Sequence, residues 1–479
     1  MSVREIRGGP SVSAPAFAIL LPVVFAIFAD SRGVSLYLTA SLTLLIALAW
    51  IFLATPNIVR SWGSVTILII VLASALSALS LWRIHRAESL PSSIETNGKV
   101  TMKRDWGKVK ALLIKTELGN FVSYIHPENA PSAGSSVYVR GALFPFKRAD
   151  AKSRGFDEYL FWRGKSAAAK LVPFEIKEIS PPSGIYLWKS AVRSRITETL
   201  PKHMAGYMLA LTVGESDKEL AALHRSAGTV HLLSVSGFHV GVLVFMLSLF
   251  FKKGFIKFLS VSIIMWLYLI FAGLPAGGIR AGIMVQIYLL GLALGKPSTA
   301  FNSVSAAALL MLLWNPWYFF DVGWQLSVTA SLFLSSFLSV RREHKTALIA
   351  ASVLVWFVTA PIVAVVFKEV PIAGIFINII AVPLFSFIFP CVIAASLPAL
   401  LHIPGGAFVA WVMESILVLW AVLSEFLTSI LPWSAVNTYQ MTVMGIFVFL
   451  SASLFASGAP YKRIIPIASL FTLLLLFFA

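Results

Sequence analysis

The sequence has few charged residues and a single cysteine. Of its 479 residues, 12% are charged and 58% are hydrophobic, whereas a soluble globular chain carries about 25% charged residues. So few charges could not cover the surface of a soluble protein of this length. Cys391 is the single cysteine, which excludes an intrachain disulfide and a thiolate metal cluster.

Motifs for metal, ATP or hydrolytic chemistry are also missing from the sequence. The eight histidines form neither a His-x-His pair nor a His-Glu-x-x-His motif. Residues 291–298 differ from a phosphate-binding loop, because the spacing is one residue short and Pro297 replaces Ser or Thr. We therefore expect a protein that is not an enzyme and that binds no metal or cofactor.

Long apolar segments dominate the rest of the chain. Blocks of about 15–25 apolar residues have the length that crosses a bilayer as a helix. They predict a polytopic α-helical membrane protein with about 13 transmembrane helices. We place these helices at 14–29, 34–54, 65–81, 232–251, 254–273, 279–295, 299–314, 324–340, 346–366, 374–400, 406–429, 441–457 and 464–478. Pro383 and Pro390 interrupt segment 374–400, which could be re-entrant or broken.

The positions of the basic residues suggest an orientation in the membrane. The chain has a formal net charge of +17, and cytoplasmic loops collect Lys and Arg. If Arg4 and Arg7 place the N-terminus in the cytoplasm, the first three spans leave the long polar segment outside. The basic clusters at 252–253, 296, 341–345 and 462–463 then lie on the cytoplasmic side, as the positive-inside rule requires.

The polar segment 89–183 predicts a small antiparallel β domain, a barrel or a sandwich, of about five strands. Short apolar runs at 109–114, 121–125 and 137–141 are separated by turn-forming residues. Aromatic residues interleaved with Lys and Arg are typical of single-stranded nucleic-acid binding, although most aromatics in such a domain form its core. The candidate DNA-binding residues are Lys103, Arg104, Lys108, Lys110 and Arg140.

Residues 184–230 form a predicted helical linker. Segment 185–211 mixes apolar and basic residues, which indicates an amphipathic helix along the membrane interface. An ordinary soluble helix packed on the β domain fits the same pattern, and both interpretations stay open.

Four polar islands, at 231–241, 273–282, 315–327 and around Asn378, interrupt the apolar half and predict a hydrated vestibule. On the orientation above, all four lie toward the outer side, and polar groups at membrane depth usually face partners or water-filled cavities. The candidate path residues are His231, Ser234, Ser236, Gly237, His239, Arg280, Asp321, Gln325 and Asn378.

Residues in two of these islands have more than one candidate role. Ser236 and His239 are three residues apart, so a helix would place them on one face, as a nucleophile and its base or as pore lining. The Arg280 guanidinium could contact passing phosphates or form a structural ion pair with Asp321.

Several of these segments resemble ComEC-type competence proteins. The resemblance is carried by Gly228 through Gly241, by Leu274-Pro275 with Ile279-Arg280-Ala281, and by Asn315-Pro316 through Ser327. Upstream, Val139-Arg140-Gly141 and Gly155 through Gly164 resemble the oligonucleotide/oligosaccharide-binding (OB) domain of that family. The motifs occur in the family's order over nearly the whole chain.

The resemblance implies a multi-pass channel of the bacterial inner (plasma) membrane that carries single-stranded DNA into the cytoplasm during natural transformation. Its implied division is transmembrane helices at 1–88, an extracytoplasmic OB-like domain at 89–183, the linker at 184–230 and the channel domain at 231–479. Beside the DNA and the lipid bilayer, the implied partners are an extracytoplasmic DNA receptor, a separate nuclease and a cytoplasmic motor or strand-binding protein.

One feature of longer family members is missing from this sequence. Many of them continue into a metallo-β-lactamase-like domain, whose His-x-His-x-Asp motif does not occur here, so we expect a channel without its own nuclease. Two other functions stay open at this point. They are transport of another polyanionic or lipid-linked substrate, and intramembrane hydrolysis by Ser236 and His239.

Overall fold

A computed structural model describes most of the chain between residues 15 and 430. The described ranges are 15–31, 63–86, 90–146, 158–215, 217–251, 255–295, 299–340, 344–367, 370–371 and 373–430, with residues 34–35, 38, 41–42 and 44–45. Most of the predicted span 34–54, and all of 441–457 and 464–478, lie outside the described residues.

The described residues are mostly helical. In chain order the helices are α1 (Pro15–Ser31), α2 (Gly63–Arg86), α3 (Glu158–Gly164), α4 (Ile185–Thr199), α5 (Lys202–Thr212), α6 (Lys218–Ser226), α7 (Gly237–Phe250), α8 (Phe255–Phe271), α9 (Ala276–Ala293), α10 (Ala300–Trp314), α11 (Val322–Val340), α12 (His344–Phe367), α13 (Ala373–Leu400) and α14 (Gly406–Ile430). Short 3₁₀ helices occupy Pro127–Asn129, Val230–Leu232 and Pro316–Phe320.

Three of the described helical segments are long and apolar enough to cross a membrane. They are Val230–Phe250, Ala373–Leu400 and Gly406–Ile430, and six shorter apolar helices accompany them. Large apolar side chains such as Phe245, Phe387 and Leu419 are exposed on their outer surfaces. A surface of this kind suits lipid contact and indicates a membrane protein.

Helix α13 runs without a break through the segment that its prolines could have interrupted. Pro383, Pro390 and Pro398 all lie inside Ala373–Leu400. A membrane helix tolerates proline when neighbouring helices support its backbone. The alternative of a re-entrant or broken segment is therefore wrong for this helix.

The polar segment folds into a closed five-stranded barrel, which is one of the two architectures that its alternating pattern left open. Its strands are β1 (Ser93–Trp106), β2 (Val109–Thr116), β3 (Gly119–Ile125), β4 (Ser136–Phe144) and β5 (Ala167–Ser180). Their order around the barrel is β1-β2-β3-β5-β4. The pairing is antiparallel except between β3 and β5, which run parallel. Apolar side chains such as Val100, Leu112 and Phe121 fill the interior.

Helix α3 covers one outer face of the barrel. A second apolar cluster joins Trp162 of α3 to Ala111 and Leu113 of β2 and to Val122 of β3. Trp162 is fully buried. The strands β2 and β3 are therefore apolar on both faces, one toward the barrel core and one toward α3.

The linker forms two helices where a single one was predicted over 185–211. Helix α4 ends before Pro201, which is the N-cap of α5. The proline lacks a backbone N–H and disfavours helical geometry in the residue before it, so the break is expected physically. Near its start α4 contacts the barrel through Tyr186, while its Ile196 packs with α5 and α13.

Most of the described helices pack in three large apolar clusters. One cluster contains α1, α2, α10 and α11, a second contains α4, α5, α6, α13 and α14, and a third contains α7, α8 and α9. The loops that join these clusters meet the barrel at one place, where the candidate site lies.

Candidate functional site

A cavity of about 450 Å³ lies between the barrel and the helical half of the molecule. Three of the four polar islands contribute to its wall. The lining includes Met102, Gly164, Lys165 and Ser166 from the barrel domain, and Val213, Gly214, Ser234, Val235, Gly273, Leu274, Pro275, Asn315, Tyr318 and Asp321 from the helical half. Three islands that the sequence predicted on the outer side of the membrane therefore line the same cavity.

Two hydrogen-bonded contacts connect the barrel to this wall. The Lys165 ammonium donates to Asp321 Oδ2 at 2.7 Å. The Asn315 side-chain amide donates to the Ser166 hydroxyl. Both barrel residues follow α3 directly, so this helix carries the contact between the two halves.

The fit between α3 and the segment 315–321 leaves no room for larger residues. A Cβ at Gly164 would lie 2.9 Å from the Asp321 Cα. The Arg163 guanidinium lies over the Trp317 ring at 4.4 Å and over the Tyr159 ring at 5.3 Å. Since cation–π contacts strengthen when desolvated, the buried Arg163 stabilises the junction. The segment 315–321 is a socket for α3.

Asp321 is held by its own helix as well as by Lys165. It precedes α11, and its Oδ1 accepts the Trp324 backbone N–H at 3.0 Å. A carboxylate at a helix N-terminus is stabilised by the unpaired N–H groups and by the helix dipole. The buried Asp321 carboxylate therefore has two independent sources of compensation.

The cavity wall contains strained backbone. Ser166 and Leu274 have φ angles of +63° and +53°, and both line the cavity. A side chain in this region costs about 1–3 kcal/mol, and such residues cluster at functional sites. Gly214 and Gly273 line the same space, with φ angles of +77° and +87°.

Ser236 and His239 form a helix cap. Ser236 is the N-cap of α7 and its hydroxyl accepts the Phe238 N–H, while His239 Nδ1 accepts the Ser236 N–H at 3.0 Å. The His239 ring packs on Phe389 at 4.6 Å, and its Nε2 has no hydrogen-bond partner among the described residues. The Ser236 hydroxyl lies 3.1 Å from His239 Nδ1, so the pair is within hydrogen-bonding distance, but among the described residues no carboxylate contacts the other ring nitrogen to orient it as a general base.

Arg280 does not form the ion pair with Asp321 that the sequence suggested. Its Nη1 donates to the Ser327 carbonyl and to the Ser331 hydroxyl, both on α11. A Cβ at Gly237 would lie 3.2 Å from Arg280 Nη2. Arg280 thus joins α9 to α11 beside the start of α7, because Lys165 takes the carboxylate.

The remaining path candidates lie around the site in different roles. Gln325 Nε2 donates to the Phe319 carbonyl at 2.7 Å. His231 is exposed, and its carbonyl accepts the Ser234 hydroxyl at 3.2 Å. Asn378 lies away from the cavity lining, where its amide donates to Gly374 and Gly228 carbonyls. A transport role for these residues stays a prediction.

The basic candidates of the barrel are mostly engaged with the protein itself. Lys103 donates to the Ala130 carbonyl at 2.6 Å, and its burial lowers its pKa. Lys110 pairs with Asp105 and Arg140 lies 3.7 Å from Glu95, while Arg104 lies over the Phe161 ring. Lys108 is exposed in the β1–β2 turn.

Two of the barrel's aromatic residues are covered by α3. Trp106 contacts the rings of Phe161 and Trp162. The Tyr124 hydroxyl bonds to Glu158 and accepts the Trp162 indole N–H at 2.7 Å. These rings are unavailable as a base-stacking surface in this arrangement.

Sequence reasoning missed Lys165 and Ser166, which form the junction. The sequence feature that could have identified them is their position directly after the Arg163-Gly164 motif. It also missed a buried chain in which Tyr207 bonds to His224 Nε2 at 2.7 Å and His224 Nδ1 bonds to Thr229 at 2.8 Å. Burial lowers the pKa of His224 to about 4.

Comparisons with known proteins agree with these motifs. The family model described as competence protein matches residues 211–460. The chain is 30% identical over 229 residues to ComE operon protein 3 of Bacillus subtilis (strain 168), a match that covers 44% of this chain and 29% of that relative. No solved structure matches the chain.

Proposed function

Because the chain belongs to the competence protein family, we propose that it acts in DNA uptake during natural transformation, as the channel for single-stranded DNA. The observation that supports this function best is the cavity at the barrel junction. Its wall contains Lys165 and Asp321, and it lies where four loops of the competence region, at 213–214, 233–235, 272–276 and 315–321, meet the barrel domain. Proteins that bind a nucleic-acid backbone use water-accessible grooves with cations in their walls.

The barrel supports the proposal through its topology. A closed five-stranded barrel with the order β1-β2-β3-β5-β4 suits an OB-like domain, a fold that binds oligonucleotides at strands 2–3 and at the loops after strands 1 and 4. Here α3 covers the outer face of β2 and β3. We therefore place nucleic-acid contact at the segment between β4 and β5, which carries Lys165 and Ser166 to the cavity.

The membrane part of the proposal follows from the apolar helices. We place the protein in the bacterial inner membrane as a multi-pass protein of about 13 spans, with the barrel outside. The strand would pass from the barrel junction between the helix clusters to the cytoplasm. The sequence has no ATP-binding motif, so in this proposal a cytoplasmic motor or strand-binding protein drives the transport, and an outer DNA receptor delivers the DNA.

The test is transformation with marked DNA in a strain deleted for this gene and complemented with the wild-type chain. The account predicts that the deletion accumulates DNA outside the inner membrane, that transformants are lost, and that the wild-type chain restores them. Immunoblotting of membranes confirms that the protein is present. Unchanged transformation in the deletion strain would refute DNA uptake as the function.

A further inference from the structure

We propose that the cavity binds one backbone phosphate of a single-stranded nucleic acid between Lys165 and Lys189, and that Asp321 is the counter-ion which this phosphate replaces on Lys165. The inference rests on the proposed function and adds a defined anion site to it. It assigns the Lys165–Asp321 ion pair a role in ligand exchange beyond joining the two halves of the molecule.

The two partners of the ion pair differ in exposure. The side chain of Lys165 is 37% exposed, whereas that of Asp321 is 9% exposed. A phosphate entering the cavity therefore meets the ammonium rather than the carboxylate. Phosphate accepts charge-assisted hydrogen bonds from lysine as readily as a carboxylate does, so the exchange retains the lysine's hydrogen bond.

Asp321 can lose Lys165 without becoming an uncompensated buried charge. Its Oδ1 keeps the Trp324 N–H, and the N-terminus of α11, a helix of 19 residues, lies directly beside it. An unpaired buried carboxylate would make the exchange costly. The helix cap removes most of that cost.

Lys189 supplies a second cation at the cavity rim. It lies on α4, and its Nζ is 3.7 Å from the position of a Cβ at Gly273, a lining residue. Burial lowers the pKa of Lys189, and Glu215 opposes this effect, but Glu215 itself pairs with Arg193 at 3.3 Å. A half-buried ammonium with so little compensation favours an incoming anion.

The backbone of the rim is shaped for close approach. At Gly214 a Cβ would lie 2.3 Å from the Ala272 carbonyl oxygen, so side chains are excluded where the two loops touch. Ser166 and Ser234 also line this space. Lys165 in the wall and Lys189 beside the lining residue Gly273 can together hold one phosphodiester group.

The experiment measures binding of fluorescent dT12 to the full chain in nanodiscs of neutral lipid, by fluorescence anisotropy. Lys165→Gln and Lys189→Gln should each weaken binding about tenfold, whereas Asp321→Asn should strengthen it about threefold. Lys165→Arg should bind nearly as the wild type does. Lys177→Gln, an exposed barrel lysine paired with Glu175, is the matched control and should change nothing.

Lys165→Gln and Asp321→Asn remove the same ion pair, so opposite effects of these two substitutions on the DNA affinity are the decisive result. If Lys165→Gln and Asp321→Asn both weaken binding, the pair is only a clasp between the halves and the proposal is overturned. An unchanged affinity in Lys189→Gln also overturns it. The predicted pattern with unimpaired transformation in the deletion strain would refute the proposed function and leave the anion site standing.

Discussion

Glu414 is an acidic residue inside a candidate membrane span, and its carboxylate caps another helix. Its Oε1 accepts the His203 backbone N–H at 3.0 Å and its Oε2 accepts the Met204 N–H at 2.8 Å, both at the start of α5. His203 Nδ1 lies 2.8 Å from the same carboxylate. A charge at membrane depth is costly unless it is paired, and here the N-terminus of α5 provides the pairing.

Glu414→Gln should therefore destabilise the protein by about 1–2 kcal/mol, because the neutral amide loses the charge–dipole attraction and one acceptor. Thermal unfolding of the purified protein, followed by tryptophan fluorescence, measures this change. Glu425→Gln on the same helix is the control, since Glu425 is exposed. Equal melting temperatures for both variants would show that the cap contributes nothing.

His224 makes the stability of the linker region depend on pH. The imidazole is fully buried and its pKa is lowered to about 4 from 6.5. The unfolded chain therefore binds more protons between these pH values, and the free energy of unfolding falls as pH drops through that window, by on the order of 3 kcal/mol in total.

A His224→Gln variant tests this dependence, because it cannot titrate. Unfolding in denaturant at pH 7, 6, 5 and 4.5 should show a shallower loss of stability in the variant than in the wild type. Other groups titrate equally in both proteins, so the difference isolates His224. If both proteins lose the same free energy of unfolding as the pH falls, the pH dependence does not come from His224.

At the scale of elements, α3 determines how the barrel meets the membrane half. Its residues fill the outer face of β2 and β3, and the residues just after it reach Asn315 and Asp321. The contact depends on the absence of a side chain at Gly164. This short helix thus forms one side of the junction, beside the contacts of Tyr186 with Thr101 and of Lys218 with Asp105.

Gly164→Ala should separate α3 from its socket, because the new Cβ would meet backbone atoms of Asp321 that cannot move aside. We expect a loss of about 1–3 kcal/mol in stability and a large loss of transformation with the protein still in the membrane. Limited proteolysis between the barrel and the helices measures the separation. Gly241→Ala is the control, since a Cβ there meets nothing within 4 Å. Wild-type behaviour of Gly164→Ala would exclude α3 as the coupling element.

The elements were predictable from the sequence to different degrees. The strands followed from alternating runs such as 121–125, and the helices from apolar blocks, because each pattern reflects one local burial preference. The break at Pro201 was missed by the prediction of one helix over 185–211, although the proline is a sequence signal for it. The role of α3 was not predictable from the sequence, since its partner surface lies on strands some 35–50 residues earlier and on residues some 150 later.

The sequence indicated which polar segments belong to the candidate site, but it did not indicate which of their residues contact each other. The polar residues near 234, 274 and 315–321 do line one cavity. The choice of Lys165 over Arg280 as the partner of Asp321 depends on how the barrel docks, and sequence spacing carries no information on that. For Ser236 and His239 the sequence suggested a catalytic pair or pore lining, and the helix cap that they form was missed, because a cap and a catalytic pair share the same spacing.

At the scale of the whole molecule, a barrel stands on a helical membrane part with a polar cavity between them. Outward apolar surfaces fix the helices in lipid, while the charged barrel suits water. On the proposed function, the junction is the place where the DNA strand would leave water and enter the membrane part. The competence region, residues 211–460, supplies most of the wall of this cavity.

Photocrosslinking of a strand in transit tests this account most directly. A photoreactive amino acid replaces Ser234 in the cavity, or Lys177 on the outer barrel surface as the control. Transforming DNA with a streptavidin block at its trailing end holds the strand partway across the membrane. The account predicts DNA crosslinks from position 234 and none from position 177. A strand held in transit that crosslinks to neither position, or to position 177 alone, would contradict it.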